Sequence, residues 1–254
     1  MALAERTGLR LEMGRVAIFT FQLIRYNLLS FLALSVIVAV PAGIMRYQEG
    51  LFPDANLWDI PIALPFLTYV VCASLLTAII AKAIVPDGTG YSRSVARSIV
   101  SVANDLVPLT VIALISNIMI LVGLFLLVLP GLLLGAILAV LMPVRIVEQT
   151  GFVPTFVRSA ALTKSNLWRI LGLMVAVIAI EVAGNAAVNL MMGDAVFAGY
   201  NGDPQSVGAV ATISAAIVDA TTALVSATGT AVVYWELRRI KDGFGPNELA
   251  SEFD

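Results

Sequence analysis

The sequence predicts an all-α integral membrane protein with six transmembrane helices, and three observations predict it. First, 59% of the 254 residues are apolar and only 13% are charged, with a mean hydropathy of +0.95. Soluble domains run nearer ~45–50% apolar and ~25% charged, because water cannot solvate so much apolar surface. Second, six apolar runs approach the ~20 residues a helix needs to cross the hydrocarbon core. Third, the basic residues segregate to one side of the chain those runs define.

The spans follow in order. The first covers about 28–45 and the second about 62–84. The third and fourth share the run 106–147, which is too long for one crossing. Pro130–Gly131 is expected to divide it, since proline removes a backbone donor and glycine permits a tight turn. The fourth, about 131–147, is short and is expected to tilt or to be partly buried. The fifth covers about 170–192 and the sixth about 207–235. The first run is read as a retained span, because Arg6, Arg10, Arg15 and Arg25 spread over a leader too long for a signal peptide.

An even number of spans leaves both termini on one side. With that side cytoplasmic, 14 of the 15 Lys and Arg residues fall inside and only Arg46 falls outside. The longer outer connections carry Glu49, Asp54, Asp59, Asp194 and Asp203 instead. This is a positive-inside pattern. Tyr47, Trp58 and Tyr200 mark the outer boundary; Tyr26, Tyr91, Trp168, Tyr234 and Trp235 mark the inner one, where aromatic rings favour the headgroup layer.

A basic, amphipathic stretch precedes three of the spans, at 14–27, 91–105 and 153–166. In the second, Val95, Ile99, Val102 and Leu106 share a face, and Arg93, Arg97, Ser101 and Asn104 fall elsewhere. Such helices can lie along the membrane, with their basic side chains near anionic headgroups. The stretches end at Asn27, Asp105 and Asn166, each followed at once by Leu. Each polar residue is expected to cap the next helix with its side-chain oxygen. The chain then forms a single membrane domain, 1–254, of three parallel helical hairpins, each introduced by an amphipathic interfacial helix. The repeats are 14–84, 91–147 and 153–235, followed by a cytoplasmic tail, 236–254.

Pro130-Gly131, Pro143-Val144-Arg145-Ile146-Val147-Glu148, Gly151 and the run Arg158 to Ile170 form a pattern, joined by Tyr234-Trp235-Glu236-Leu237-Arg238-Arg239-Ile240-Lys241-Asp242-Gly243. This resembles the membrane domain attached to some bacterial glycerophosphoryl diester phosphodiesterases, a domain that also occurs alone. The likeness is clearest over the C-terminal half. The catalytic domain of that family uses a His pair and metal-binding carboxylates, whereas this chain has no His. The resemblance therefore implies the membrane part alone, in a bacterial inner membrane.

Two acidic residues fall mid-span, where a charge costs about 2.5–3.5 kcal/mol on insertion scales. Glu181 lies 13 residues from Trp168 and Asp219 16 residues from Trp235, about 20 and 24 Å along a helix. Both are therefore expected near the midplane. Asn185 and Asn189 share the face of Glu181, and Asn117 sits mid-span on the third helix, completing an expected intramembrane polar cluster. Such a cluster either binds a proton or solute, through carboxyls that raise each other's pKa, or holds helices together by hydrogen bonds. Arg93, Arg97, Arg158, Lys164, Trp168 and Arg169 are candidate lipid-headgroup residues at the inner interface. Arg145 and Glu148, three apart, are expected to pair with each other. Gly131-xxx-Gly135 has the spacing for close helix contact.

With no His, a lone Cys72, no phosphate-binding glycine loop and no nucleophile–base pair, neither an enzyme nor a metal or other cofactor is expected. A net charge of −2 gives no reason to expect nucleic acid. The expected partners are membrane lipids, with a larger membrane-protein complex or a homo-oligomer beside them. The expected role is to organise, anchor or regulate lipids or partner proteins. The alternative is a small transporter or lipid-handling permease built around Glu181 and Asp219.

Overall fold

The computed structural model describes residues 11–51, 60–84, 86–87, 90–91, 95–197 and 204–242. Helices dominate. In chain order they are α1 (Met13–Tyr26), α2 (Leu28–Leu51), α3 (Ile60–Ala83), α4 (Val95–Asn104), α5 (Leu106–Leu126), α6 (Val128–Leu138), α7 (Leu141–Glu148), α8 (Phe152–Thr163), α9 (Leu167–Phe197) and α10 (Pro204–Asp242). A two-residue ladder pairs β1 (Pro86–Asp87) with β2 (Gly90–Tyr91) between α3 and α4. Five of the helical stretches are long and apolar enough to cross a membrane, and a sixth is gained if α1 and α2 are joined across their 97° bend. The chain is thus an all-helical, multi-pass membrane protein.

The long helix α10 is the central post, packed by α1, α2, α3 and α9. Consecutive long helices lie side by side: α2 on α3, α5 on α6, and α9 on α10. Helix α7 is almost wholly enclosed, with Leu141, Met142, Pro143, Val144 and Ile146 all buried against α3 and α8. By contrast, α9 buries little of its apolar surface in the protein. That is the expected economy in lipid, where acyl chains solvate Leu and Ile as well as another helix does.

The chain bends at the three polar residues the pattern singled out, but their side chains do not cap the helices that follow. Asp105 makes no side-chain cap; its carboxylate accepts from Arg145 Nη2 and Gln149 Nε2, both at 3.3 Å. Asn166 Oδ1 accepts the distant Leu11 N–H at 3.2 Å. Asn27 Nδ2 donates back to Leu23 O at 3.2 Å. At the first two of these elbows the orphan carbonyl and carboxylate oxygens are worth more to partners far along the chain than to the next turn.

The division of the run 106–147 also differs from expectation. Helix α5 ends at Leu126, Leu127 alone is extended, and α6 begins at Val128. Pro130 therefore lies in the first turn of α6, where its missing N–H costs nothing. Gly131 has another duty. A Cβ there would sit 2.4 Å from Leu124 N and 2.7 Å from Gly123 C, so only glycine lets the two helices cross this closely. Gly131 is thereby used within the chain, and Gly135 faces Met174 of α9.

The fourth span breaks again between α6 and α7, just ahead of Pro143. The Ile137 carbonyl at that break is taken by Ser159 Oγ at 2.8 Å and Thr163 Oγ1 at 3.2 Å, both from α8. Broken helices are tolerated at membrane depth only where such side chains replace the lost partners. The tail also begins later than expected, since residues 236–242 continue α10 as helix; residues 243–254 lie outside the described set.

Candidate functional site

Two regions gather the polar side chains. The first is a crevice of about 520 Å³ along the side of α10. Its floor is α10 from Thr222 to Val233, and one wall is α9 from Ile170 to Glu181, each about 16 Å of helix. The opposite wall is α1, through Val16, Ala17, Thr20, Phe21 and Ile24. Tyr69, Ala73 and Thr77 of α3 close the back. The volume lies in the range of small-molecule sites, roughly 300–1,000 Å³. The walls are mostly apolar, with a row of hydroxyls at Thr222, Ser226 and Thr230 that repeats every four residues. Glu181 stands at the end away from the elbows.

The structure brings part of the expected polar cluster together there. The Asn185 amide donates to Asp219 Oδ1 and to the Glu181 carbonyl, both at 3.2 Å. Asp219 is buried and Glu181 half-buried. Asn117 belongs elsewhere: its Nδ2 donates to Ala113 O at 2.8 Å within α5, a helix that packs chiefly on α3, α4, α6 and α7. The side chain of Asn189 lies outside the described set.

The second region is a charged network at the elbow end. Arg158 Nε donates to Glu148 Oε2 at 2.9 Å, and its Nη2 pairs with Asp242. The buried Tyr234 hydroxyl donates to Glu148 Oε1 at 3.1 Å. Arg238 lies 3.6 Å from Asp242 and stacks over Trp235 at 5.6 Å. Burial opposes the charge of Arg158, but the hydrogen bonds it donates to Asp242 and Glu148, with their negative charges, outweigh it and raise its pKa. The network ties α7 and α8 to the end of α10.

The expected pairing of Arg145 with Glu148 does not form. Arg145 turns to Asp105 and to Thr150 O, and Glu148 turns to Arg158 and Tyr234. A neighbour three residues away loses to partners 10, 40 and 86 residues away because α7 is enclosed, and each charge takes the partner its own side presents.

The headgroup candidates divide. Lys164 and Arg97 are exposed, and Trp168 is 71% exposed. Arg158 is committed to the network, and Arg169 Nη1 donates to Leu11 O at 2.6 Å. Arg93 lies outside the described residues. In α4 the exposed face carries Ile99 and Val100, while Ser98 and Val102 turn inward. The apolar residues of α4 are therefore split: Val95 and Val102 pack on the protein, and Ile99 and Val100 face outward beside Arg97.

Reasoning from sequence missed Tyr234 and Asp242 as partners of Glu148 and Arg158. A signal was present: these residues belong to the three separated segments that carry the pattern described above, and the fold brings all three together. Among the described residues, no group of three or more His, Cys, Asp or Glu is placed to hold a metal ion.

Fold and site together define the class: a multi-pass α-helical membrane protein with a mostly apolar crevice beside its longest helix and a charged clamp at one end. No family model matches this chain, and no curated protein or solved structure matches it.

Proposed function

We propose that this chain is a non-enzymatic protein of a bacterial inner membrane that organises or anchors lipids or partner proteins. In this reading both termini are cytoplasmic, the six spans form three parallel hairpins, and α1, α4 and α8 lie at the cytoplasmic surface. The distribution of basic residues and the resemblance to a phosphodiesterase-linked membrane domain support that placement. The observation that carries the function is the crevice. Its mostly apolar walls suit an acyl chain or an apolar partner segment better than a hydrated solute. The exposed Lys164, Arg97 and Trp168 suit a headgroup layer alongside it.

Purification in mild detergent followed by native mass spectrometry tests this. The expected result is a retained phospholipid or protein whose occupancy falls when Ala223→Trp fills the crevice. Nothing retained by either form would overturn the reading. A second reading, a small transporter or permease, is favoured by one observation: the Asn185 amide of α9 donates to Asp219 Oδ1 of α10 and to the Glu181 backbone carbonyl. It requires Glu181→Gln or Asp219→Asn to abolish solute flux in proteoliposomes while leaving the fold intact.

A further inference from the structure

The α5–α6 hairpin differs from the others in what its turn is made of. From Ile118 to Val144, 27 consecutive residues carry no polar side chain. The turn lies inside this run. Phe125 is 93% exposed, and Leu126, Leu127, Val128 and Leu129 are 55–70% exposed. The run itself contains no Trp, Tyr, Lys or acidic residue to occupy a headgroup layer. In water this would be a contiguous apolar patch of the kind that monomers avoid.

The length of the hairpin indicates where the turn sits. Its two limbs start from one point, because Asp105 at the foot of α5 pairs with Arg145 at 3.3 Å. The shorter limb sets the height. Val128 to Arg145 is 18 residues, at most about 27 Å as continuous helix, and the break between α6 and α7 shortens it further. The hydrocarbon core is about 30 Å thick. With the charged pair at the elbow-side boundary, the turn stops short of the opposite one. Sinking the pair to let the turn emerge would place two charged groups in hydrocarbon.

The backbone is suited to that position. Leu127 N–H donates to Gly123 O at 3.0 Å, and Gly131 N–H donates to Leu127 O at 3.2 Å. Pro130 removes one of the donors that a helix start leaves orphaned. The Gly123–Gly131 crossing allows a turn of one extended residue, so little irregular backbone exists to be solvated. Each donor that is paired or removed lowers the cost of holding the turn in hydrocarbon, where no water is present to solvate it.

We infer that, of the three proposed hairpins, α5–α6 does not emerge on the far side of the membrane, so that only the other two cross it fully, and that its turn is a surface for lipid acyl chains. The hairpin is a wedge held at its charged foot, and the leaflet above its tip dips or thins to cover it, as short hydrophobic elements require. This does not depend on what the α10 crevice binds.

Spin labels read the position directly. In a Cys72→Ala background, Leu127→Cys and Leu129→Cys carry a nitroxide, with Asn201→Cys in the α9–α10 connection as comparator, in phosphatidylglycerol–phosphatidylcholine liposomes. At 127 and 129, collision with oxygen should be high and collision with a nickel chelate an order of magnitude lower than at 201. Nickel collision at 127 and 129 matching that at 201 would place the turn in water and overturn the inference. Shielding from both reagents would assign the tip to a second copy or another protein and overturn it equally. Two tip positions keep the test readable if one substitution disturbs the Gly123–Gly131 crossing.

Discussion

The α5–α6 and α9–α10 hairpins share a plan and differ in reach. Each follows a short helix and a polar elbow, and each sends one helix away and one back. The limbs of α9–α10 are 31 and 39 residues, about 46 and 58 Å of helix, which exceeds the hydrocarbon thickness. Their connection carries Tyr200, Asn201 and Asp203. The limbs of α5–α6 are 21 and 11 residues, about 32 and 16 Å of helix, and their connection is Leu127. One hairpin therefore has residues that suit far-side water and the other has none. If the inference holds, apolar length alone does not make a crossing, and the chemistry of the turn decides.

The contact glycines offer the sharpest way to break the comparison. Gly131→Ala drives a Cβ into the backbone of Leu124 and Gly123, which cannot yield. The expected loss is at the upper end of overpacking costs, about 3 kcal/mol, read by denaturant unfolding in micelles. Gly184→Ala in α9 is the control. Its Cβ would meet only the Val218 side chain at 2.9 Å, a softer obstacle than backbone, and alanine gains up to about 1 kcal/mol in helix propensity. Its net loss should be well below that at Gly131. Equal losses at the two sites would show that the close crossing is not special to α5–α6.

A smaller effect is expected at the charged clamp. Arg158→Ala leaves Glu148 and Asp242 without their shared cation in a half-buried setting. A loss of about 2 kcal/mol is expected, below the range for fully buried pairs because the Arg158 side chain is 30% exposed. Arg158→Lys should recover only part of it, since an ammonium lacks the planar fork that reaches both carboxylates. Melting temperatures of the three forms in one detergent check this; an unchanged midpoint for Arg158→Ala would show that the clamp is ornamental.

The smallest effect belongs to the membrane interior. Asn185→Ala removes one interhelical hydrogen bond to Asp219, and such bonds average about 0.6 kcal/mol. A loss well above 2 kcal/mol would mean that Asp219 depends on that amide, which would strengthen the transport reading.

Much of the fold was legible. The bends after Tyr26, after Asn104 and at 164–166 stand where a polar residue interrupts apolar runs, and the apolar runs themselves became helices. What those polar residues do was not legible. Asp105, Asn166 and Glu148 each had a plausible local partner, and each is satisfied by a residue 10 to 155 positions away. Asn117 matched Glu181 and Asp219 in depth, but depth says nothing about azimuth, and α5 stands on another side of the bundle.

Composition and pattern alone determined that this chain is helical, apolar enough for a bilayer and bent at defined places, because helix length and hydrophobicity are local properties. Only the tertiary structure decided which charge meets which, that Gly131 serves a crossing, and that a crevice opens beside α10. Those depend on how helices rotate and lean against one another. In lipid, where apolar faces are solvated on every side, hydrophobic pattern no longer points inward, and packing has to supply that information.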